Sequence, residues 1–380
     1  MALRSLLSRD CLVLIGDGAG APRGLLPELA AAARDVGGVR LLVGWCFGDW
    51  DDVADREAFT SVRTVMGGYG MRRLISNGRV EYLPSRMAAM PALLAGPLRP
   101  DVAVVALRPD GAGLNHTTEV SWMAAAIDHA RVVVGVDDRR SPITSAESPI
   151  PTERVALMLE VDHAPVDVAP AALDGESAEI GARTARWIPE GAAIQFGPGK
   201  VGEACLAALG TPVTIDSGVI NDAVVDLDER GLLAGSPISA YVIGTARARA
   251  WAAERRVMRR VEFTHDATRL AARPFVALNT ALEIDRFGQV NVEAIGSAAF
   301  GGVGGHGDYA LAASRSVGGL SVIALPRTRG GNPTLVDRLS APVSTAAPDV
   351  DVVVCEAGSV DLRGLGHAAR ATALEALWSR

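Results

Sequence analysis

Lysine is almost missing from this chain: of 37 basic residues, Lys200 alone is not an arginine. Cysteine is scarce too. Cys11, Cys46, Cys205 and Cys355 lie far apart and form no CxxC pair, which argues against a zinc ribbon or a disulfide framework and predicts small buried thiols. No apolar run approaches the roughly 20 residues that span a bilayer, and MALRSLLSRD is too short and interrupted for a signal peptide. Clustered basic residues, the footprint of a nucleic-acid surface, are lacking, and the formal net charge is −7. His116, His129, His163, His265 and His367 show neither HxH nor HExxH spacing, so no metal site is expected. These absences leave a cytoplasmic protein with no membrane segment, no nucleic-acid partner and no permanently bound cofactor.

The chain is rich in core-forming residues, 49% of its 380 positions being apolar, enough for two domains. Short β-branched runs alternate with helical patterns: CLVLIG (11–16), RLLVGWCFG (40–48), VEYLPSR (80–86), DVAVVALRP (101–109) and RVVVGVDD (131–138) read as strands. EVSWMAAAIDHA (119–130) reads as a helix. Such alternation predicts a mostly parallel sheet covered on both faces. The stretch 162–179, rich in Ala, Pro and Asp, reads as a linker. The pattern then restarts through AAIQFGPG (192–199), PVTIDSGVI (212–220), SAYVIGTA (239–246), RPFVALN (273–279), SVIALP (321–326) and VDVVVCEAG (350–358), and closes with an amphipathic helix. The expected architecture is two tandem open α/β domains, 1–165 and 176–380.

Two glycine-rich turns are candidate ligand loops. In QFGPGKVGEA (195–204) a strand ends, Gly197 and Gly199 turn the chain, and a helix begins whose free N–H groups suit an anion. The spacing is not that of a P-loop, and a plain strand-to-helix turn is the competing reading. Lys200 could meet a phosphate there, or be an exposed helix-start residue. FGGVGGHGDYA (300–310) has five glycines in eight residues and precedes a helical segment. It can aim backbone amides at one oxygen, as an oxyanion hole requires. Between the turns, ALNTALEIDRFGQVNVEAIG (277–296) reads as a hairpin in which Asn279, Glu283, Asp285 and Glu293 are polar. Those carboxylates are either catalytic or the wet face of the hairpin.

These segments resemble the acetyl-CoA hydrolase/4-hydroxybutyrate CoA-transferase family. The hairpin with the GVGG loop and SVIALP matches its C-terminal signature, and VVVCEAGSVDLRGL (352–365) matches the stretch ending in its ADLRG motif. MGGYGMRRLISNGRVEYLPS (66–85), PDVAVVALRPDGAGLN (100–115) and WMAAAIDHARVVVGVDD (122–138) extend the likeness over almost the whole chain. The resemblance implies two similar α/β domains with the active site between them, acyl-CoA and a small carboxylic acid or other acceptor as partners, and a homo-oligomer. It implies that a glutamate attacks the thioester and passes through an acyl-glutamyl anhydride to a glutamyl-CoA thioester. By position, Gly197, Pro198, Gly199 and Lys200 fall in a CoA-contacting turn, together with Asn279. Gly302, Val303, Gly304 and Gly305 form the oxyanion and CoA loop. His306 stands where relatives have glutamine, and Arg329 where many have lysine. Glu356 and Asp361 belong to the C-terminal motif, in a structural role.

One position departs. Where the family reads IHSE, this chain reads Ile215, Asp216, Ser217, Gly218. The nucleophile position is thus Gly218, and no glutamate lies between Glu203 and Glu229. Three readings follow. The protein is a thioester hydrolase in which Asp216, on the same face of the strand as Gly218, is general base for a water. Or it is a CoA-transferase, with a replacement nucleophile among Asp216, Ser217 and Glu283 or with direct acyl transfer to a bound acceptor. Or it binds acyl-CoA without turnover.

Overall fold

The computed structural model describes residues 2–55, 57–111, 113–161 and 164–380. The chain divides into two compact units. The first holds the chain up to Val168 together with Ala240–Glu262 and Ala299–Gly302; the second holds Ala169–Ser239, Phe263–Ala298 and Val303–Arg380. Two excursions after residue 176 therefore pack with the first unit. The stretch from 164 runs without regular structure to Asp174, whose carboxylate and Ser177 form a reciprocal capping box at the head of the helix Gly175–Ala185. Asp162 and His163, part of the expected linker, lie outside the described residues.

Among the described residues, the first unit carries an eight-stranded sheet. The spatial order is Glu81–Tyr82, Ser61–Thr64, Arg40–Val43, Leu12–Ile15, Val102–Asp110, Val132–Asp137 and Leu157–Glu160, all parallel. Gly113–His116 adds to Val102–Asp110 in antiparallel fashion. The central runs Leu12–Ile15 and Val102–Leu107 are buried on both faces, which is why they read as continuous apolar stretches. Ser61–Thr64 was not expected from the sequence: its residues alternate between half-buried and buried, and four alternating residues carry little signal.

The second unit has a six-stranded sheet in the order Thr214–Ile215, Ala193–Phe196, Phe275–Thr280, Leu320–Ala324, Val352–Cys355 and Gly358–Asp361. The first five are parallel and the last antiparallel. Two sequence expectations change here. PVTIDSGVI is not one strand: it breaks into Thr214–Ile215 and Val219–Ile220, with Asp216 in a parallel bridge to Ile238 and 217–218 irregular. VALNTALEID is also split. Phe275–Thr280 lies centrally in the sheet, whereas Glu283–Asp285 pairs with Val290–Asn291 as the hairpin proper and with Leu335–Val336 in parallel. The helix His306–Arg315 follows the second glycine loop, and Tyr309 on it packs with Leu270, Phe275, Ala277, Ala312 and Ala313.

Candidate functional site

The strand Ala193–Phe196 ends at the first glycine turn, where Gly197 N donates to Leu278 O at 2.9 Å and Gly199 takes φ 120, a value that favours glycine. The helix Lys200–Ala208 starts there without a side-chain cap. Gly202, which the sequence reading passed over, is the glycine that packing demands: a Cβ on it would run into the Gly197 carbonyl oxygen. Gly197 itself has room, its nearest neighbour being Leu278 O at 3.8 Å. Lys200 Nζ reaches Asp174 Oδ2 at 2.8 Å in an exposed ion pair.

Gln195 and Asn279 stand side by side across the Ala193–Phe196 and Phe275–Thr280 pair. Gln195 Nε2 donates to Asn279 Oδ1 at 3.2 Å, while Gln195 Oε1 and Asn279 Nδ2 are buried and unpartnered. One acceptor and one donor are thereby left side by side. Asn279 was expected at the site; Gln195 was not, although a lone amide in an apolar strand entering a glycine turn is the signal that marks it.

Asp216 does not overlook Gly218 as a free base. Asp216 is fully buried and accepts from Arg269 Nη1 at 2.6 Å, Arg269 Nη2 at 2.8 Å and Arg273 Nη2 at 2.6 Å. Both oxygens are held by guanidinium groups in a buried, charge-assisted ion pair. Ser217 Oγ is also engaged, donating to Phe196 O at 3.3 Å. Glu283 accepts from Asn291 Nδ2 and Ser340 N, each at 2.9 Å. Asp285 ties the hairpin turn through Phe287 N and Gln289, and Glu293 accepts from Ser344 Oγ at 2.7 Å. The hairpin carboxylates are thus the fabric of the hairpin rather than free nucleophiles.

The surroundings of Gly218 come from elsewhere. A Cβ built on it would meet Tyr309 Oη at 3.4 Å, Tyr309 Cε2 at 3.5 Å and His265 Cε1 at 3.6 Å, all ordinary contact distances. The Tyr309 hydroxyl is buried and has no hydrogen-bond partner among the described residues. Burial, reinforced by the charges of Asp216 and Asp308, raises the phenol well above its usual range, so it stays protonated. The two rings lie 4.7 Å apart between centroids, and His265 Nδ1 is 2.9 Å from Thr264 Oγ1. Burial lowers the His265 imidazole to about 3, so it is neutral. Arg269, Arg273, His265 and Tyr309 were not read as site residues, since no spacing links positions so far apart in sequence.

The glycines of the second loop have packing reasons. Gly302 has Met66 Cα at 3.1 Å and Val65 O at 3.2 Å from its Cβ position; Gly304 has φ 54; a Cβ on Gly305 would strike His265 Nε2. The His306 amide is turned back on Val303 O at 3.2 Å, while His306 Nδ1 is 2.6 Å from Thr345 Oγ1 and Nε2 is buried without a partner. Burial lowers this imidazole to about 4. Arg329 is exposed on a short hairpin and donates to Ala281 O at 3.0 Å. Glu356 holds Arg327 at 2.8 Å and Asp361 holds Arg363 at 2.6 Å, both structural.

A buried acid in the first unit also went unread. Asp17 Oδ2 accepts from Trp45 N, Trp122 Nε1 and Tyr241 Oη at 3.0, 3.0 and 2.9 Å, leaving Oδ1 buried and unpartnered. Burial pushes this carboxyl up to about 6. Its sequence mark is an acid at a strand end inside IGDGAG.

Comparison with known proteins fits this arrangement. Residues 248–377 match the description of the acetyl-CoA hydrolase/transferase C-terminal domain. The 4-hydroxybutyrate coenzyme A transferase of Clostridium kluyveri is 27% identical over 323 residues, covering 80% of this chain and 75% of that protein. RipA from Yersinia pestis has the same fold, with a TM-score of 0.87 at 24% identity over 98% of this chain and 92% of that one. So does a 4-hydroxybutyrate CoA-transferase from Porphyromonas gingivalis, with a TM-score of 0.79 at 23% identity over 98% and 91%. The acetyl-CoA hydrolase/transferase resemblance thus covers both units, and the matched domain includes His265, Asn279, the GVGG loop and Tyr309.

Proposed function

We propose that this protein cleaves acyl-CoA thioesters by transferring the acyl group to water, without a glutamyl intermediate. Its relatives include proteins named as CoA-transferases and as an acetyl-CoA hydrolase. The observation that carries the reading is the neighbourhood of Gly218. The position assigned to the family's glutamate has a phenol and an imidazole as its nearest neighbours. The carboxylates considered as replacements are engaged: Asp216 by two arginines, and Glu283 by Asn291 Nδ2 and Ser340 N.

In the reaction, water oxygen bonds to the acyl carbon and the carbon–sulfur bond breaks. The proton lost by water ends on the CoA thiolate, giving a carboxylic acid and free CoA. The first glycine turn, with Gly197, Pro198, Gly199 and Lys200, and Arg329 are assigned to CoA contacts, Asn279 to CoA or substrate, and Gly302 to Gly305 with His306 to the oxyanion and CoA loop. The same reading places the protein in the cytoplasm as a homo-oligomer.

The test is incubation with a panel of acyl-CoAs, with and without a small carboxylic acid, followed by mass spectrometry of products and protein. Free CoA without an acceptor supports hydrolysis. Acceptor-dependent acyl transfer with a protein-bound adduct replaces it with the transferase reading. Binding with no turnover replaces it with a non-catalytic acyl-CoA-binding role.

A further inference from the structure

Tyr309 and Gly218 present two halves of an unfinished contact. A buried hydroxyl without a partner is costly, and native proteins tolerate one chiefly where a ligand or water completes it. Here the hydroxyl lies 3.4 Å from the point where a side chain on Gly218 would begin, and that face has room for a methyl-sized group. Gly218 itself keeps part of its surface exposed, while the Tyr309 hydroxyl beneath that face is buried, so a group on Gly218 would complete the contact from the exposed side. The phenol is clamped by Leu270, Phe275, Ala312 and Ala313 and by the His265 ring, which Gly305 admits by lacking a side chain.

We propose that Tyr309 is a catalytic residue that donates a hydrogen bond to the thioester carbonyl oxygen of a bound acyl-CoA. That oxygen sits on the bare face of Gly218, and His265 is the residue that positions the phenol. This rests on the acyl-CoA reading above and names the atom that meets the substrate. The donor is a protonated phenol. As attack proceeds and the carbonyl oxygen gains charge, a donor already fixed in place stabilises it without reorganising.

The experiment compares wild type, Tyr309→Phe and Gly218→Ala in hydrolysis of an acyl-CoA and in binding of two stable analogues. One is an S-(2-oxoalkyl)-CoA that keeps the carbonyl; the other is an S-alkyl-CoA that lacks it. Tyr309→Phe is expected to lower kcat by about 10- to 100-fold. It should weaken the keto analogue about tenfold, leave the S-alkyl analogue within twofold and leave Tm unchanged or raised. Gly218→Ala, which fills the face, should weaken the keto analogue in the same selective way. Turnover in wild type with both variants matching it in kcat and keto-analogue affinity overturns the role of Tyr309 and leaves the hydrolase reading standing. No turnover, but selective loss of the keto analogue, overturns hydrolysis and keeps the carbonyl subsite. Failure of wild type to bind either analogue overturns both.

Discussion

Arg269 grips Asp216 through two parallel hydrogen bonds, Nη1 to Oδ2 at 2.6 Å and Nη2 to Oδ1 at 2.8 Å, with Asp216 fully buried. Arg273 adds a third bond to Oδ2. Bidentate charge-assisted pairs are among the stronger polar contacts in proteins. The Asp216 side chain is fully buried, while those of Arg269 and Arg273 keep 22% and 43% exposure, so water screens the cations in part. Asp216→Ala is therefore expected to destabilise by about 2–3 kcal/mol, below the range for a wholly buried pair. Urea unfolding measures it, and a change under 1 kcal/mol would show the pair to be incidental.

Gly202 and Gly197 should behave oppositely. Gly202→Ala forces a methyl against a backbone carbonyl and is expected to cost about 3 kcal/mol or more, since neither partner is a flexible side chain. Gly197→Ala meets nothing closer than 3.8 Å and should stay within about 1 kcal/mol. Thermal melts of the two variants, side by side, check the pair.

Acid should loosen the fold through its buried imidazoles. His265 titrates at about 3 and His116 and His306 at about 4, each lowered by burial from 6.5. Between these values and 6.5 the unfolded chain binds protons that the folded chain refuses. Stability is thus intact above pH 6.5 and falls as pH drops toward 4, by up to about 1.4 kcal/mol per pH unit for each group. Asp17, raised to about 6, works the other way over pH 4 to 6, favouring the fold as it protonates. His265→Asn should flatten the acid limb of a stability–pH curve; an unchanged slope would show that His265 does not set it.

The four free thiols should be silent until the chain opens. Cys11, Cys46, Cys205 and Cys355 are all buried, and burial pushes Cys205 up to about 12. The thiolate is the reactive form, so a disulfide reagent should label none of them quickly in the native state and all four in urea. Fast native labelling of any one would contradict its placement.

The sheets were legible because their central strands are buried on both faces. Leu12–Ile15 and Val102–Leu107 announce themselves as unbroken apolar runs. The break after Asp216 was not legible, because Thr-Ile-Asp-Ser-Gly-Val-Ile keeps a strand's alternation throughout. Nor were the guanidinium partners of Asp216, which lie over 50 positions later in the sequence. The glycine loops were visible as composition, but composition does not say which glycine is required. Gly202 and Gly305 are fixed by a carbonyl and an imidazole that only folding brings near. Tyr309 and His265 were illegible for the same cause: each looks like ordinary core until their rings are seen together beside Gly218.

The Lys200–Asp174 contact makes this protein a convenient object for single-site chemistry. With one ε-amine in the whole sequence, half-exposed beside the first glycine turn, an amine-reactive fluorophore would have a single side chain to choose. It would land between two helix heads, beside the first glycine turn, and would report on any change in the polarity of that turn.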